Sequence, residues 1–213
     1  GLKGGLINEL EALIRQNKLK SSYVPSQKLN KLSKKNHQGV IARISPIKFY
    51  ELNEIMGKIE GKKDALILIL DQISDVRNFG AIIRTAEVSG VDAIIIQNQS
   101  SAPINADTVK TSAGAVFNVP ICKVSHIKDA IYHLKSSEIM IVSANERSDK
   151  TIYDVKLKKP VALIMGSEER GIATSILKLS DEQVRLPMFG KIESLNVSVA
   201  CGILLYEVVR QRI

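Results

Sequence analysis

The sequence predicts an α/β protein with a mostly parallel sheet, preceded by a small basic segment, on three observations. Short continuous apolar runs in residues 64–213 are typical of strands that are covered on both faces. Stretches of helical apolar spacing separate these runs, as in βαβ units. Charge is also unevenly distributed: residues 1–63 hold 13 Lys and Arg against 5 Asp and Glu, whereas residues 64–213 hold 17 of each.

Composition excludes several classes of protein. The chain has 213 residues, of which 45% are hydrophobic, too many for a disordered chain. No apolar run approaches the roughly 18 residues that span a bilayer, and no leader pattern opens the sequence, so we expect a soluble protein. Cys122 and Cys201 lie far apart without a partner motif, which favours the reducing cytoplasm. Because the chain starts at Gly1 and not at Met, it is expected to be part of a longer protein.

The amino-terminal segment, residues 1–48, is predicted to be a partial α/β domain. Helical spacing covers residues 6–14 and 29–32, and residues 40–44 alternate like a strand. Nine basic residues and no acidic one lie between Ala12 and Tyr50. This charge is explained equally well by polyanion binding and by a solvated face without a partner. Residues 49–63, in which apolar residues recur before a polar stretch, are predicted to be the linker.

The remaining residues, 64–213, are predicted to form the second domain. Predicted strands cover residues 65–70, 93–96, 139–142 and 161–165. Predicted helices cover residues 80–89, 106–113, 127–136, 172–179 and 194–212. Ligands bind beyond the carboxyl ends of strands in such sheets, so the loops there are where chemistry is expected.

The first of these loops, residues 71–80, follows the first strand. Asn78 lies where it can cap the next helix. Arg84, in that helix, is well placed to hold a phosphate, although an ordinary surface pair with Glu87 explains it too.

The second loop, residues 166–171, contains Gly166 and Gly171, which let the backbone approach a ligand closely. It lacks the glycine spacing and the Lys-Ser/Thr ending of nucleotide loops, so neither cofactor class is supported. A plain turn between a strand and a helix is the alternative.

The third loop, residues 186–198, leads into the last helix. Pro187 and Gly190 bracket a turn, and Ser194 is the expected cap of the helix. Asn196 offers a donor and an acceptor near the helix start, where helix polarity favours an anion. A capped helix without a ligand is the alternative.

These loops, in this order, resemble the three signature motifs of the SpoU, or TrmH-like, RNA ribose 2′-O-methyltransferases of the SPOUT superfamily. The matching positions are residues 78–80, Ile82, Arg84, Ala86, Glu87, Gly166, Glu168, Gly171, Pro187, Met188, Gly190 and residues 194–198. Residues 36–40, Asn-His-Gln-Gly-Val, resemble a stretch in the amino-terminal RNA-binding domain of the ribosomal-RNA guanosine branch. This chain is expected to depart from that branch by lacking the opening strand and helix of the domain.

The resemblance implies an S-adenosylmethionine-dependent enzyme with a deep carboxyl-terminal trefoil knot and a homodimeric site that includes the final helix. Ordinary chain-threading rules argue against a knot, so this expectation rests on the resemblance alone. The cofactor-binding residues it implies are Gly166, Leu186, Met188, Leu195 and Asn196. The catalytic residues it implies are Asn78, Arg84, Glu168, Ser194 and Asn196.

The chemistry is expected to present a ribose 2′-hydroxyl in line with the sulfonium methyl. Because arginine is always protonated, Arg84 is favoured as an electrostatic positioner, and the proton acceptor stays unassigned. RNA contacts are expected from Arg84 and from amino-terminal residues. The latter are Lys31, Lys34, Lys35, His37 and Arg43. No Cys/His cluster suggests a metal.

Ribosomal RNA is the expected substrate, because the resemblance to the ribosomal-RNA branch extends into the amino-terminal segment. Transfer RNA is the alternative within the same class. A non-catalytic RNA-binding or ribosome-assembly protein with the same fold is the alternative from another class, and the matched Arg84, Glu168 and Asn196 argue against it. A nucleotide-dependent dehydrogenase is more distant still, because its glycine fingerprint is missing.

Overall fold

The computed structural model of the protein describes residues 5–17, 21–42, 47–192 and 194–213. The chain forms two compact units, residues 1–46 and 47–213. In the first unit, α1 (Gly5–Gln16) and α2 (Ser26–Leu32) agree with the two predicted helices. The strand expected over residues 40–44 is not formed at residues 40–42, and the rest of that prediction lies outside the described residues.

The second unit is a six-stranded sheet with helices on both faces. Its helices are α3 (Leu52–Ile59), α4 (Val76–Val88), α5 (Ala106–Thr111), α6 (Ile127–Ser136), α7 (Thr174–Leu177) and α8 (Val197–Arg212). Its strands are β1 (Leu66–Asp71), β2 (Ala93–Gln97), β3 (Ile121–Val124), β4 (Met140–Ala144), β5 (Val161–Gly166) and β6 (Glu182–Val184).

All the strand pairs of this sheet are parallel, in the order β3-β2-β1-β5-β4-β6. The predicted α/β class with a mostly parallel sheet is therefore confirmed. β1 and β5 lie side by side at the centre of the sheet. β2 and β3 follow on the side of β1, and β4 and β6 lie on the side of β5. Such a switch point leaves a crevice beyond the carboxyl ends of the two strands, where open α/β sheets bind ligands. The predicted knot stays a prediction of the resemblance.

The core has two layers because the strands alternate their side chains between the faces of the sheet. Leu68 of β1 packs on the face that α4 and α8 cover, whereas Ile67 and Ile69 pack on the face of α3 and α6. All six residues of β1 are buried, which explains its continuous apolar run before Asp71.

The segment predicted as a linker, residues 49–63, differs from expectation because it carries α3. Ile55 and Ile59 of α3 are buried in the core, with exposures of 0% and 6%. Glu51 caps the helix and Glu54 returns a bond to the Glu51 backbone N–H at 2.8 Å. The apolar recurrence in this segment was therefore the core face of a helix, and the second unit begins before residue 49.

Two strands and two helix caps also differ from the sequence prediction. β3 and β6 were missed because they have only four and three residues, too few for a periodic pattern. Asp75, and not Asn78, caps α4, so Asn78 lies inside the first turn. Asn196, and not Ser194, caps α8 by accepting from the backbone N–H groups of Ser198 and Val199.

Candidate active site

The first two loops meet at the switch point of the sheet. Asp71, the last residue of β1, pairs with Gly166, the last residue of β5. Asp71 is 1% exposed, and its carboxylate accepts the backbone N–H of Ala173 at 2.9 Å. This bond ties the far end of the second loop to the strand that carries the first loop. The two loops are thereby fixed relative to each other.

The Glu168 carboxylate joins all three loops. Its Oε1 atom accepts the side-chain amide of Asn196 at 2.8 Å, that of Asn78 at 3.2 Å and the backbone N–H of Val197 at 3.2 Å. The Asn196 amide also donates to Asn78 Oδ1 at 3.0 Å. We call Asn78, Glu168 and Asn196 the amide–carboxylate cluster. The sequence predicted all three as site residues, and the fold brings them into contact from positions up to 118 residues apart.

The cluster residues are held by the starts of the two longest helices described. Asp75 Oδ1 accepts the Asn78 backbone N–H at 2.7 Å, which fixes the first turn of α4. Asn196 Oδ1 accepts the Ser198 backbone N–H at 3.0 Å and the Ser198 hydroxyl at 2.6 Å. Because Asn196 Oδ1 accepts the hydrogen bonds that cap the helix, the Nδ2 atom of the same side chain is on the other side, where it donates to Glu168 and Asn78.

A cleft of about 810 Å³ opens beside the cluster. All five predicted cofactor residues line it, namely Gly166, Leu186, Met188, Leu195 and Asn196. Glu168 and Ser194 line it as well. The fold therefore gathers the second and third loops around one concave site.

The residues of this cleft fit an S-adenosyl cofactor. A Cβ placed on Gly166 would collide with the backbone of Gly171 and Ile172, so the second loop folds back directly over the end of β5. Aliphatic side chains such as Leu186 and Leu204 supply apolar walls, and the cluster amides supply a polar rim. Apolar walls with a few convergent polar groups are the usual composition of a site for an adenosine-sized ligand.

Arg84 does not join the cluster within one chain. It lies on α4 six residues beyond Asn78, on the solvent face of the helix, and it lines neither cavity described here. Within the described ranges it forms no hydrogen bond or ion pair, and Glu87 accepts instead from the Asn118 amide at 3.3 Å. The ordinary surface pair with Glu87 is thus not formed.

The predicted RNA-binding residues of the first unit are mostly exposed. Lys31, Lys34 and Lys35 are exposed at the end of α2 and just beyond it. His37 is different: the Gly39 backbone N–H donates to its Nδ1 at 3.0 Å, which assigns the remaining ring proton to Nε2, 2.8 Å from Asn30 Oδ1. Its ring therefore braces the 30–39 turn. Arg43 lies outside the described residues.

The cysteines offer no nucleophile at neutral pH. Burial raises the pKa of the Cys122 thiol to about 11 and that of Cys201 to about 12, so both stay protonated. Within the described ranges, no three His, Cys, Asp or Glu side chains are grouped to hold a metal ion. None of the helices in that part of the chain has the length and apolar character needed to cross a membrane.

Sequence reasoning missed a second, smaller cavity of about 360 Å³ on the other side of the second loop. Asp75, Glu169 and Ser100 line it, together with Asn78 and Glu168 of the cluster. Asp75 and Glu169 stand inside two of the loops that drew attention in the sequence. Ser100 follows β2 and carried no signal, because a single serine in a polar loop has no distinguishing pattern.

Fold and site together define an α/β enzyme class that binds a nucleoside-like cofactor at the carboxyl edge of a parallel sheet. The chain belongs to the SpoU rRNA methylase family, whose model matches residues 65–206. A second model, RNA 2′-O ribose methyltransferase substrate binding, matches residues 1–50. The resemblance carried by the three motifs is confirmed.

Relatives of established name agree with this assignment. The chain is 39% identical over 176 residues to the 23S rRNA (guanosine-2′-O-)-methyltransferase RlmB of Escherichia coli K12, covering 83% of this chain and 72% of that protein. It is 38% identical over 176 residues to the protein of the same name from Yersinia pestis, with the same coverage.

Solved structures share the fold. The SpoU methyltransferase AviRb from Streptomyces viridochromogenes, in complex with the cofactor AdoMet, matches with a TM-score of 0.68 at 28% identity, covering 74% of this chain and 61% of that one. The TrmH/SpoU tRNA modifying enzyme of A. aeolicus matches with a TM-score of 0.65 at 31% identity, covering 76% of this chain and 82% of that one. This chain thus spans less than two thirds of the AviRb chain.

Proposed function

We propose that this protein transfers a methyl group from S-adenosylmethionine to the ribose 2′-hydroxyl of a guanosine in ribosomal RNA, in the cytoplasm. The observation that carries the proposal is that the side-chain amides of Asn78 and Asn196 converge on one carboxylate oxygen of Glu168, at the edge of a cofactor-sized cleft. Family membership and relatives that act on guanosine of 23S rRNA support the substrate.

The bound cofactor supplies an electrophilic methyl group on a sulfonium centre. The chain supplies the positions around it. Gly166 and Leu186 would hold the adenosine part in the cleft, with Met188 and Leu195 closing the side of the third loop. Three N–H groups saturate Glu168 Oε1, which leaves Oε2 to accept a hydrogen bond from the ribose hydroxyl. This bond would orient the hydroxyl oxygen toward the methyl group.

The homodimer belongs to this proposal, and it gives Arg84 a role. Leu204 and Val208 of α8 are buried in the core of this chain, but Val199, Ile203 and Tyr206 are 51%, 38% and 52% exposed on its other side. α4 packs beside α8, with Thr85 Cγ2 3.6 Å from where a Cβ on Gly202 would lie, and Val88 of α4 is 62% exposed. An apolar face shared by two neighbouring helices favours a partner surface.

Arg84 lies on the exposed side of α4, one helical turn from Val88. In the proposed dimer, the Arg84 guanidinium of one subunit would reach the site of the other and hold the phosphate beside the target ribose. A guanidinium suits this task because it stays charged and binds phosphate oxygens with two parallel hydrogen bonds.

The first unit would capture the RNA. The substrate-binding model matches it, and Lys31, Lys34 and Lys35 are exposed within nine basic residues uninterrupted by acid. Lysines in such a run bind the phosphate backbone through counterion release. Because His37 uses both ring nitrogens inside the turn, its contribution would be to shape this surface.

The test is a map of 2′-O-methyl sites in total RNA from cells with and without the gene, repeated with purified protein and labelled S-adenosylmethionine. We expect the loss of one ribosomal guanosine mark, restored by the wild-type protein. Loss of a transfer-RNA mark alone would contradict the ribosomal substrate. Absence of thermal stabilisation by S-adenosylmethionine, in a well-folded protein, would favour a non-catalytic RNA-binding role instead.

A further inference from the structure

The second cavity adjoins the cofactor cleft. Residues 167–170 line both spaces, so this segment of the second loop stands where the two meet. The smaller cavity has a volume of about 360 Å³, which lies within the range of small-molecule sites.

The amide–carboxylate cluster lies at this junction. Glu168 lines both spaces, Asn196 lines only the cofactor cleft, and Asn78 lines only the second cavity. In-line transfer requires the attacking oxygen and the sulfonium on opposite sides of the methyl group. A nucleoside that entered from the second cavity would meet the cluster from the side opposite the cofactor cleft.

Charge determines which part of a nucleotide this cavity accepts. Its lining includes three carboxylates, Asp75, Glu168 and Glu169, against the single guanidinium of Arg170. Such an excess of negative charge repels a phosphate group. It favours instead the N–H donors on the edge of a base, because a carboxylate is an acceptor only.

Besides Glu168, two of these carboxylates still have accepting atoms. The Asn78 backbone N–H occupies Asp75 Oδ1 at 2.7 Å and holds the side chain in place, while Oδ2 accepts no hydrogen bond from the described residues. Glu169 forms no hydrogen bond or ion pair within the described ranges. A carboxylate held rigid by a helix cap is well suited to read a ligand, because little side-chain freedom is lost on binding.

Guanine is the base whose edge suits a carboxylate. Its N1–H and N2 amino group are adjacent donors and make two parallel bonds to one carboxylate, as a guanidinium does. Adenine and cytosine place an acceptor beside their amino group, and uracil has a single N–H between two carbonyl groups. A base that places an acceptor against such a carboxylate removes its water and returns no hydrogen bond, so it binds more weakly.

We propose that the second cavity receives the base of the target nucleoside and that Asp75 and Glu169 select guanine through its N1–H and N2 amino group. This inference rests on the proposed function and extends it, since it names the residues that read the base. Asp75 lines only the second cavity, so at this residue base preference and cofactor affinity are separable properties.

The experiment uses the full chain with synthetic RNA spanning the mapped site, carrying guanosine, inosine or adenosine at the target. Inosine keeps N1–H and lacks the N2 amino group. Asp75→Asn keeps an oxygen for the helix cap, and Glu169→Gln changes an exposed side chain, so both variants are expected to fold. Glu138 is an exposed carboxylate that lies just before β4, at the amino end of that strand and therefore away from the site. Glu138→Gln is the matched control.

For the wild type and the control we expect kcat/KM to be at least about tenfold higher for guanosine than for inosine. Either Asp75→Asn or Glu169→Gln should bring this ratio close to one. The affinity for S-adenosylmethionine should be unchanged in Asp75→Asn, because Asp75 lines only the second cavity, whereas Glu169 lines both spaces. Equal rates on guanosine and inosine in the wild type, or an unaltered ratio in both variants, would overturn this inference alone. No transfer to any RNA would overturn the proposed function as well.

Discussion

The side-chain amide of Asn196 donates to Glu168 Oε1 at 2.8 Å, which joins the start of α8 to the loop after β5. Asn78 donates to the same oxygen at 3.2 Å. One carboxylate oxygen therefore sets the positions of two helix starts and of the loop between the two cavities. A substitution at Glu168 that keeps an accepting oxygen and removes the negative charge distinguishes the effect of the cluster's geometry from the effect of its charge.

Glu168→Gln should keep the protein folded and lower its rate of methyl transfer. A glutamine oxygen still accepts from Asn78 and Asn196, but the charge that strengthens these bonds and the second acceptor for substrate are lost. We expect kcat to fall by about 10- to 100-fold, as for a positioned polar group, with the Kd for S-adenosylmethionine within a few-fold of wild type. Single-turnover kinetics and calorimetric titration measure the two quantities. An unchanged kcat would remove the carboxylate from the chemistry.

Arg84→Ala should abolish methyl transfer and leave folding and cofactor affinity nearly intact. Arg84 is exposed and unpaired within the described part of the chain, so its removal breaks no hydrogen bond there. The proposed dimer adds a sharper expectation: a mixture of Arg84→Ala and Glu168→Gln subunits should recover part of the activity, because one of the two sites in a mixed dimer is intact. Failure of the mixture, with mixed dimers present, would place Arg84 in its own subunit's site. Unchanged turnover in Arg84→Ala would remove it from the mechanism.

The sequence predicted the class of fold better than it predicted the arrangement of the candidate site. The buried strands were readable because both faces of the sheet are covered, which leaves continuous apolar runs such as that of β1. The 49–63 segment was misread because Ile55 and Ile59 bury only one face of a short helix within a polar stretch. A short strand such as β6 is stabilised by its hydrogen bonds to the neighbouring strand β4, and its three residues are too few to show a recognisable apolar pattern in the sequence.

The site residues were predicted through their motifs, and the contacts among them were not. The sequence spacing of Asn78, Glu168 and Asn196 does not indicate that Asn78 and Asn196 donate to one oxygen of Glu168. This contact depends on the register in which β1 and β5 pair. The caps were assigned to the wrong residues for a related reason. A helix start within a loop of several Asn, Asp and Ser residues has more than one candidate cap, and tertiary contacts select among them.

Replacing Lys31, Lys34 and Lys35 together with Gln should weaken RNA binding and flatten its dependence on salt. For each phosphate that the variant no longer neutralises, the slope of log K against log salt should become shallower by about 0.7 to 0.9. Fluorescence anisotropy with a labelled ribosomal-RNA fragment, at several salt concentrations, gives this slope. Replacement of Lys128, Lys135 and Lys178 in the other unit is the charge-matched control. A slope equal to that of the wild type would mean that these three lysines do not touch phosphate.

Glu207 should make the stability of the second unit depend on acid pH. It is 5% exposed and accepts from Arg210 Nε at 2.7 Å and from Gln211 Nε2 at 2.8 Å. The hydrogen bonds from Arg210 lower the pKa of its carboxyl below the ordinary value. The stabilisation is therefore present above the unfolded-state pKa of about 4.3 and is lost as pH falls through the lower folded-state pKa.

Glu207→Gln should lower the free energy of unfolding at pH 7 by about 2 kcal/mol, the size of hydrogen bonds to a charged group. As pH falls through the lowered folded-state pKa the variant and the wild type should converge, because the wild-type carboxyl is then protonated too. Urea unfolding at pH 7 and at a pH below that folded-state pKa measures the difference, with Glu138→Gln as the exposed control. A difference that persists undiminished at the lower pH would mean that packing, and not charge, accounts for it.

Gly166→Ala should destroy the cofactor cleft, whereas Gly57→Ala should not. A Cβ at position 166 would collide with the backbone of Gly171 and Ile172, which cannot rotate away as a side chain would. The second loop must shift, and with it Glu168, so we expect no detectable binding of S-adenosylmethionine and a loss of stability of about 1–3 kcal/mol. A Cβ on Gly57, in α3, meets nothing within 4 Å, and alanine there should raise stability by about 0.5–1 kcal/mol. Thermal melts with and without cofactor compare the two. Normal cofactor binding by Gly166→Ala would show that the loop does not need its close approach to β5.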